Sequence, residues 1–228
     1  VMKESSNFEE KRELEKLLEE SLFERLYNTL PRANKQMLAI QYRMHANIMQ
    51  TIAPFYADEQ DELLCGLEDS DAMRDHKLET AWFNRSHHLL WVDVPNEPAY
   101  YEQKPKEGSS LFNEAELMIV KNTLVQLNAA TAEAIANGIL PEGTQKSVGV
   151  ISYYAEQVKR INRLIEQDIQ VPYLQIRTGS VDKFQGMEMD VILVSMVRNH
   201  AGEQIGFAKD YRRLNVALSR SRELLMMI

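Results

Sequence analysis

The chain has 228 residues, 44% of them hydrophobic and 26% charged, with a formal net charge of −8. These values fit one globular α/β domain, or one domain with an appendage, and exclude a surface that is basic overall and binds polyanions everywhere. The single cysteine, Cys65, excludes an internal disulfide framework and a cysteine-rich metal centre, and no apolar run approaches the roughly 20 residues of a membrane span, so the expected setting is a reducing interior, cytoplasmic or nuclear, with no membrane partner.

Residues 8–28 carry a leucine stripe at helical spacing (Leu14, Leu17, Leu18, Leu22, Leu26) and predict a charged amphipathic helix that ends before Pro31. Met37 to Ile40 predicts a short strand, and His45 to Tyr56 a helix with Ile48, Met49, Ile52 and Phe55 on one side. Residues 58–86 are acidic and weakly periodic, which predicts a surface excursion; eight acids between Asp58 and Asp75 face a single base, Arg74. Leu89 to Val94 predicts a strand, residues 95–110 a proline-bearing loop, and Asn113 to Asn137 a long helix stopped at Gly138. Strands follow at 147–151, 173–177, 191–197 and 224–228, separated by helices at 154–168 and 211–222. This alternation predicts an α/β fold with a mostly parallel sheet, whose ligands are expected beyond the carboxyl ends of the strands.

Three segments carry chemistry. Val181 to Asp190 reads Val-Asp-Lys-Phe-Gln-Gly-Met-Glu-Met-Asp and leads directly into an apolar strand. Gly186 lets backbone approach a phosphate or sugar closely, and Gln185 and Glu188 can bond hydroxyls or a water; a plain turn with solvated acids is the competing reading. Gln41-Tyr42-Arg43-Met44-His45 offers an aromatic ring to stack on a base and a guanidinium to reach phosphate oxygens, or simply a strand end with a surface arginine. Arg212 to Arg222 concentrates base in an acidic chain, and on a helix Arg213 and Arg220, seven residues apart, share a face.

Together the three segments resemble superfamily 1 helicases, in the branch that includes the helicase of nonsense-mediated decay. Gln41 to His45 is similar to that family's motif IV region, Thr178 to Asp190 with Ser195 to Arg198 to motif V, and Arg212 to Arg220 to motif VI. The matches are in family order. The resemblance implies a RecA-like domain, the second of two in an ATP-driven motor, over residues 31–228, with 58–110 partly irregular and residues 1–30 a helical lead-in from a first RecA-like domain. It implies that Tyr42 stacks near adenine, that Arg43, Gln185 and Gly186 lie near the γ-phosphate, and that Glu188 lies near the ribose. Arg220 would be an arginine finger supported by Arg213, and Thr178 and Ser180 would contact a single-strand phosphate. Ser219-Arg220-Ser221 stands where the family more often has Thr-Arg-Ala.

No Gly-x-x-x-x-Gly-Lys-Ser/Thr occurs in the chain; Gly143-Thr144-Gln145-Lys146-Ser147 fails because Gln145 replaces the glycine. The phosphate cradle and magnesium ligands are therefore expected from the partner domain, with ATP and Mg as cofactors of the whole protein and little hydrolysis by this chain alone. A non-motor binding or regulatory module with a helicase-like fold is the alternative. His87-His88, with no third ligand at metal spacing, reads as structural, and Tyr100-Tyr101 as local packing.

Overall fold

A computed structural model describes residues 22–57, 62–202 and 205–228. The part of the predicted N-terminal helix that precedes Leu22 lies outside the described residues. The contacts divide the chain after Leu38, where the sequence pattern suggested a boundary after Leu30. In the first unit, α1 (Leu22–Thr29) leaves Leu22, Phe23 and Leu26 exposed.

The second unit runs β1 (Ile40–Gln41), α2 (Ala46–Ile52), β2 (Leu64–Cys65), α3 (Ser70–Met73), β3 (Leu89–Trp91), α4 (Glu114–Ala136), β4 (Lys146–Ser152), α5 (Ala155–Gln167), β5 (Leu174–Gly179), β6 (Met189–Ser195), α6 (Tyr211–Leu218) and β7 (Ser221–Met227). Five of the strands form one parallel sheet in the order β3-β7-β6-β4-β5. β6 lies between β7 and β4, so its run Val191 to Val194 is fully buried, which is why it reads as continuous rather than alternating apolar sequence. Helix α4 packs on β5 and β6, α5 on β4 and β5, and α6 on β6. This is the α/β RecA-like architecture that the sequence implied.

Helix α4 shows how local signals set the elements. Asn113 caps it, its side chain accepting the Glu116 amide at 3.2 Å, and Leu117, Val120, Leu124 and Leu127 face the core. The chain leaves it at Gly138, where φ is +70°, a conformation that costs glycine nothing. Gly149 in β4 has the opposite reason to be glycine: an added Cβ would lie 2.5 Å from Ile192 Cδ1 and 2.7 Å from Phe184 Cε1.

Two expectations are corrected. The described part of the 58–86 segment, residues 62–86, is not merely a surface excursion. It contains β2, which pairs parallel with β1, and α3, and it sends Leu78 and Phe83 into the main core. Nor does the last helix run to Arg222. It ends at Leu218, and Ser221 already pairs with Met189 across the sheet. Leu, Met, Arg and Glu favour helix locally, but the slot between β3 and β6 stabilises strand there.

A polar network joins α4, α5 and β6 inside the core. The Asn113 amide donates to Gln157 Oε1 (3.0 Å), Gln157 Nε2 to Ser195 Oγ (3.0 Å), and Ser195 Oγ to Glu116 Oε2 (2.6 Å). Burial pushes the Glu116 carboxyl up to about 7, against the hydrogen bonds from Ser195, Val197 and Met196. Its folded value lies above the unfolded one, so its contribution is complete below about pH 4.5 and is lost as pH rises through 7. Relative to Glu116→Gln, the parent chain should therefore lose up to about 3 kcal/mol of stability between pH 4.5 and 8. Urea midpoints of the two chains across that range check this; a constant difference contradicts it.

Candidate functional site

The turn after β1 is built by its own first residue. Gln41 Oε1 accepts the amides of Arg43 (2.9 Å) and Met44 (2.8 Å), and Gln41 Nε2 donates to the Met44 carbonyl (3.1 Å). Arg74 holds the outer side of the turn, Nε donating to the Arg43 carbonyl (2.6 Å) and Nη2 to the Tyr42 carbonyl (2.7 Å). Tyr42 is 62% exposed, and its ring lies where a Cβ on Gly66 would overlap it. One ring face thus rests on bare backbone while the side chain as a whole stays open to a ligand.

The segment before β6 meets this turn. Phe184, fully buried against Gly149, anchors the 3-10 turn Val181–Phe184; Gln185 and Gly186 then cross the surface, with φ at Gly186 of +80°. Glu188 follows, and its carboxylate accepts from Arg43 Nε at 3.0 Å, with Arg222 Nη1 at 3.9 Å from its other oxygen. Arg43 Nη1 also donates to the Ser219 carbonyl (3.2 Å). The Arg43 and Glu188 side chains are 34% and 50% exposed, so the pair is worth about 1 kcal/mol or less and yields readily to a stronger anion.

Arg220 completes the wall. Its guanidinium donates to the carbonyls of Val216 (3.0 Å) and Met187 (3.2 Å) and to Ser219 Oγ (2.8 Å). Burial first, and then the neighbouring Arg43 charge, pull it below its ordinary value. Two guanidiniums that repel each other across a half-open surface form a place that a phosphate would relieve. Asn215, on the last turns of α6, donates to the Tyr56 hydroxyl at 2.7 Å.

Tyr42, Arg43, Glu188 and Arg220 are therefore brought together, with Gln185 and Gly186 on the loop beside them. Arg213 is not in the cluster; it reaches Asp182 at 3.4 Å and lies 4.0 Å from Asp210. Arg213 and Arg220 do not share a helix face, because Arg220 stands beyond the end of α6. Arg222, the second residue of β7, points toward Glu188. The wall also lies at the amino ends of β6 and β7, where Glu188 and Arg220 precede them, and not beyond the carboxyl ends. Such a wall presents side chains outward rather than enclosing a ligand. Arg74 and Gly66 were missed, although Arg74 is the only base in the acidic run and so carried a visible signal.

Thr178, near the carboxyl end of β5, and Ser180, just after it, lie at the other end. Thr178 Oγ1 bonds Asn162 Oδ1, and Ser180 lines a groove of about 500 Å³ with Lys159, Asn162, Arg163 and Lys183. Three cations and two hydroxyl residues at one strand end suit a phosphate chain.

Behind the Arg43 turn, His45, His76 and His88 are all buried. His45 Nδ1 accepts the Asn47 amide and its Nε2 bonds Asp71 Oδ1 (2.7 Å); His88 Nδ1 bonds the Glu223 carbonyl (2.8 Å). The His45, Asp71 and His88 ligand atoms lie close enough to share an ion, but the two rings stack 3.4 Å apart and 7° from parallel. A metal must sit near the plane of each imidazole, and no point satisfies both planes. The cluster is a brace tying α2 and α3 to β3. Burial lowers both His45 and His76, the latter to about 4.

The sequence matches the AAA domain family over residues 18–228. It is 31% identical over 223 residues to the DNA polymerase alpha-associated DNA helicase A of Saccharomyces cerevisiae, covering 92% of this chain and 30% of that protein. It is 32% identical over 225 residues to an uncharacterised ATP-dependent helicase of Methanocaldococcus jannaschii (92% and 29%). It is 30% identical over 214 residues to the regulator of nonsense transcripts 1 of Dictyostelium discoideum (90% and 14%). The chain thus spans less than a third of the length of these relatives.

Proposed function

The chain belongs to the AAA domain family of superfamily 1 helicases, and we propose that it is the second RecA-like domain of an ATP-dependent DNA or RNA helicase or translocase. The observation that carries this is the meeting of Arg43 and Arg220, 177 positions apart, around one displaceable carboxylate, Glu188. ATP, with Mg held outside this chain, supplies the phosphoryl group whose transfer drives the motor.

The chain's own residues do the following. Tyr42 stacks on the base. Arg43 exchanges Glu188 for a phosphate oxygen, and the freed Glu188 turns to the ribose hydroxyls. Arg220 leaves the Met187 carbonyl and neutralises charge that develops on the phosphoryl group. Gln185, beside the positive-φ Gly186, orients the attacking water. Thr178, Ser180 and the cations of the adjoining groove hold the single strand by its phosphates. A first RecA-like domain provides the phosphate cradle, so the chain alone hydrolyses essentially no ATP.

The test is ATP turnover by the full-length protein with and without a single strand. Turnover that the strand accelerates supports the reading. Full-length protein that binds both ligands but shows no turnover supports the non-motor module instead.

A further inference from the structure

We propose that the cavity at the carboxyl ends of β3, β7 and β6 is a nucleobase pocket, which takes one base of the strand whose phosphates lie along Thr178 and Ser180. The inference rests on the nucleic-acid reading above and adds a base contact to it. The cavity measures about 330 Å³, and its lining includes Trp91, Val94, Met196, Ile205 and Asn199.

Three observations carry it. The first is Trp91, whose side chain is 62% exposed at the end of an edge strand. An indole left open at a cavity mouth gains little from folding and is a ready surface for stacking a base. The second is the construction of the opposite wall. Arg198 pairs with Glu102 at 3.0 Å, both largely buried, and the other Glu102 oxygen accepts the Asn199 amide at 3.0 Å. Asn199 Nδ2 donates to the Pro95 carbonyl at 2.9 Å. The wall follows Val197, a β-branched residue at φ +71°, whose carbonyl is fixed by Asn113 Nδ2 at 3.2 Å. A strained residue held by a buried amide sets a rigid wall, which a collapsible surface gap lacks.

The third observation is position. The groove at Ser180 and the cavity occupy the same end of the sheet, two to four strand spacings apart in the order β3-β7-β6-β4-β5, with Trp91 on the far strand. That is roughly 10–20 Å, a distance a few nucleotides cross. The mixed lining sets apolar Val94, Met196 and Ile205 beside polar Asn96 and Asn199 and the acids Asp93 and Glu116, which suits a ligand with apolar faces and hydrogen-bonding edges and disfavours an anion. A base is such a ligand; a phosphate or an alkyl chain is not.

The experiment uses this chain with Trp82→Phe, which leaves Trp91 as the sole indole. Oligothymidylate should quench its fluorescence, and an abasic strand of equal length should not. Trp91→Ala should weaken oligothymidylate binding by about 5- to 100-fold with no change in salt slope, while Trp91→Phe retains most of the affinity. Lys183→Ala should instead lower the slope by about one. Quenching by the abasic strand overturns the base pocket. So does unchanged affinity in Trp91→Ala while Lys183→Ala weakens binding, and that result leaves the helicase reading standing. A parent chain that binds no oligonucleotide overturns the base pocket, while strand-accelerated turnover by the full-length protein still decides the helicase reading.

Discussion

Arg220→Ala in the full-length protein should lower strand-stimulated ATP turnover by about 10³-fold or more, the scale on which arginine fingers act, while the KM for ATP changes far less. A group that acts mainly on developing charge contributes to the transition state and little to ground-state binding. The resting geometry supports this division. Arg220 is held by three of its five donors, on Val216, Met187 and Ser219, so it gives up part of that anchorage to turn fully to a ligand. Arg43 sits on an exposed carboxylate and is released more cheaply, so Arg43→Ala should raise KM more than Arg220→Ala does. Arg220→Lys should restore little, because an ammonium cannot hold the fork geometry. Thermal melting of the variant chain separates lost chemistry from lost folding. An Arg220→Ala protein with turnover within a few-fold of the parent removes the finger assignment.

Lys146→Met should cost about 3–5 kcal/mol of stability, read as a shift in the urea midpoint. Lys146 opens β4 and its Nζ lies 2.6 Å from Glu223 Oε2 in β7, with the side chains 7% and 13% exposed. Burial raises Glu223, with the Asp190 charge acting in the same direction and Lys146 opposing both. Removing the lysine leaves that carboxyl buried beside Asp190 without its cation. The double change Lys146→Met with Glu223→Leu should recover most of the loss, because two apolar groups carry no desolvation cost. A single variant as stable as the parent means that the pair is solvated in solution.

The sheet was legible because its strands are short apolar runs between capped helices, and Val191 to Val194 is the clearest of them. The last helix was misread because Ser219 to Glu223 has no local strand signal; only pairing with Met189 and its neighbours makes it one. The same long-range dependence hid the site's geometry. Tyr42, Arg43, Glu188 and Arg220 could be named from their segments, but that Glu188 would hold Arg43, or that Arg220 would fold back on Val216, depends on contacts between residues far apart in sequence. Residues 62–86 were least legible, since their buried members Leu63, His76, Leu78 and Phe83 follow no period. Yet they supply Arg74 and Gly66, which shape the Tyr42 turn.

The central claim is that this surface is one wall of an ATP site. It is tested most directly by the structure of the full-length protein with a non-hydrolysable ATP analogue. The account predicts guanidinium nitrogens of Arg43 and Arg220 within about 3.2 Å of γ-phosphate oxygens, Tyr42 stacked on the adenine, and Glu188 released from Arg43. A bound analogue that leaves Arg43 on Glu188 and Arg220 on the Met187 carbonyl contradicts it.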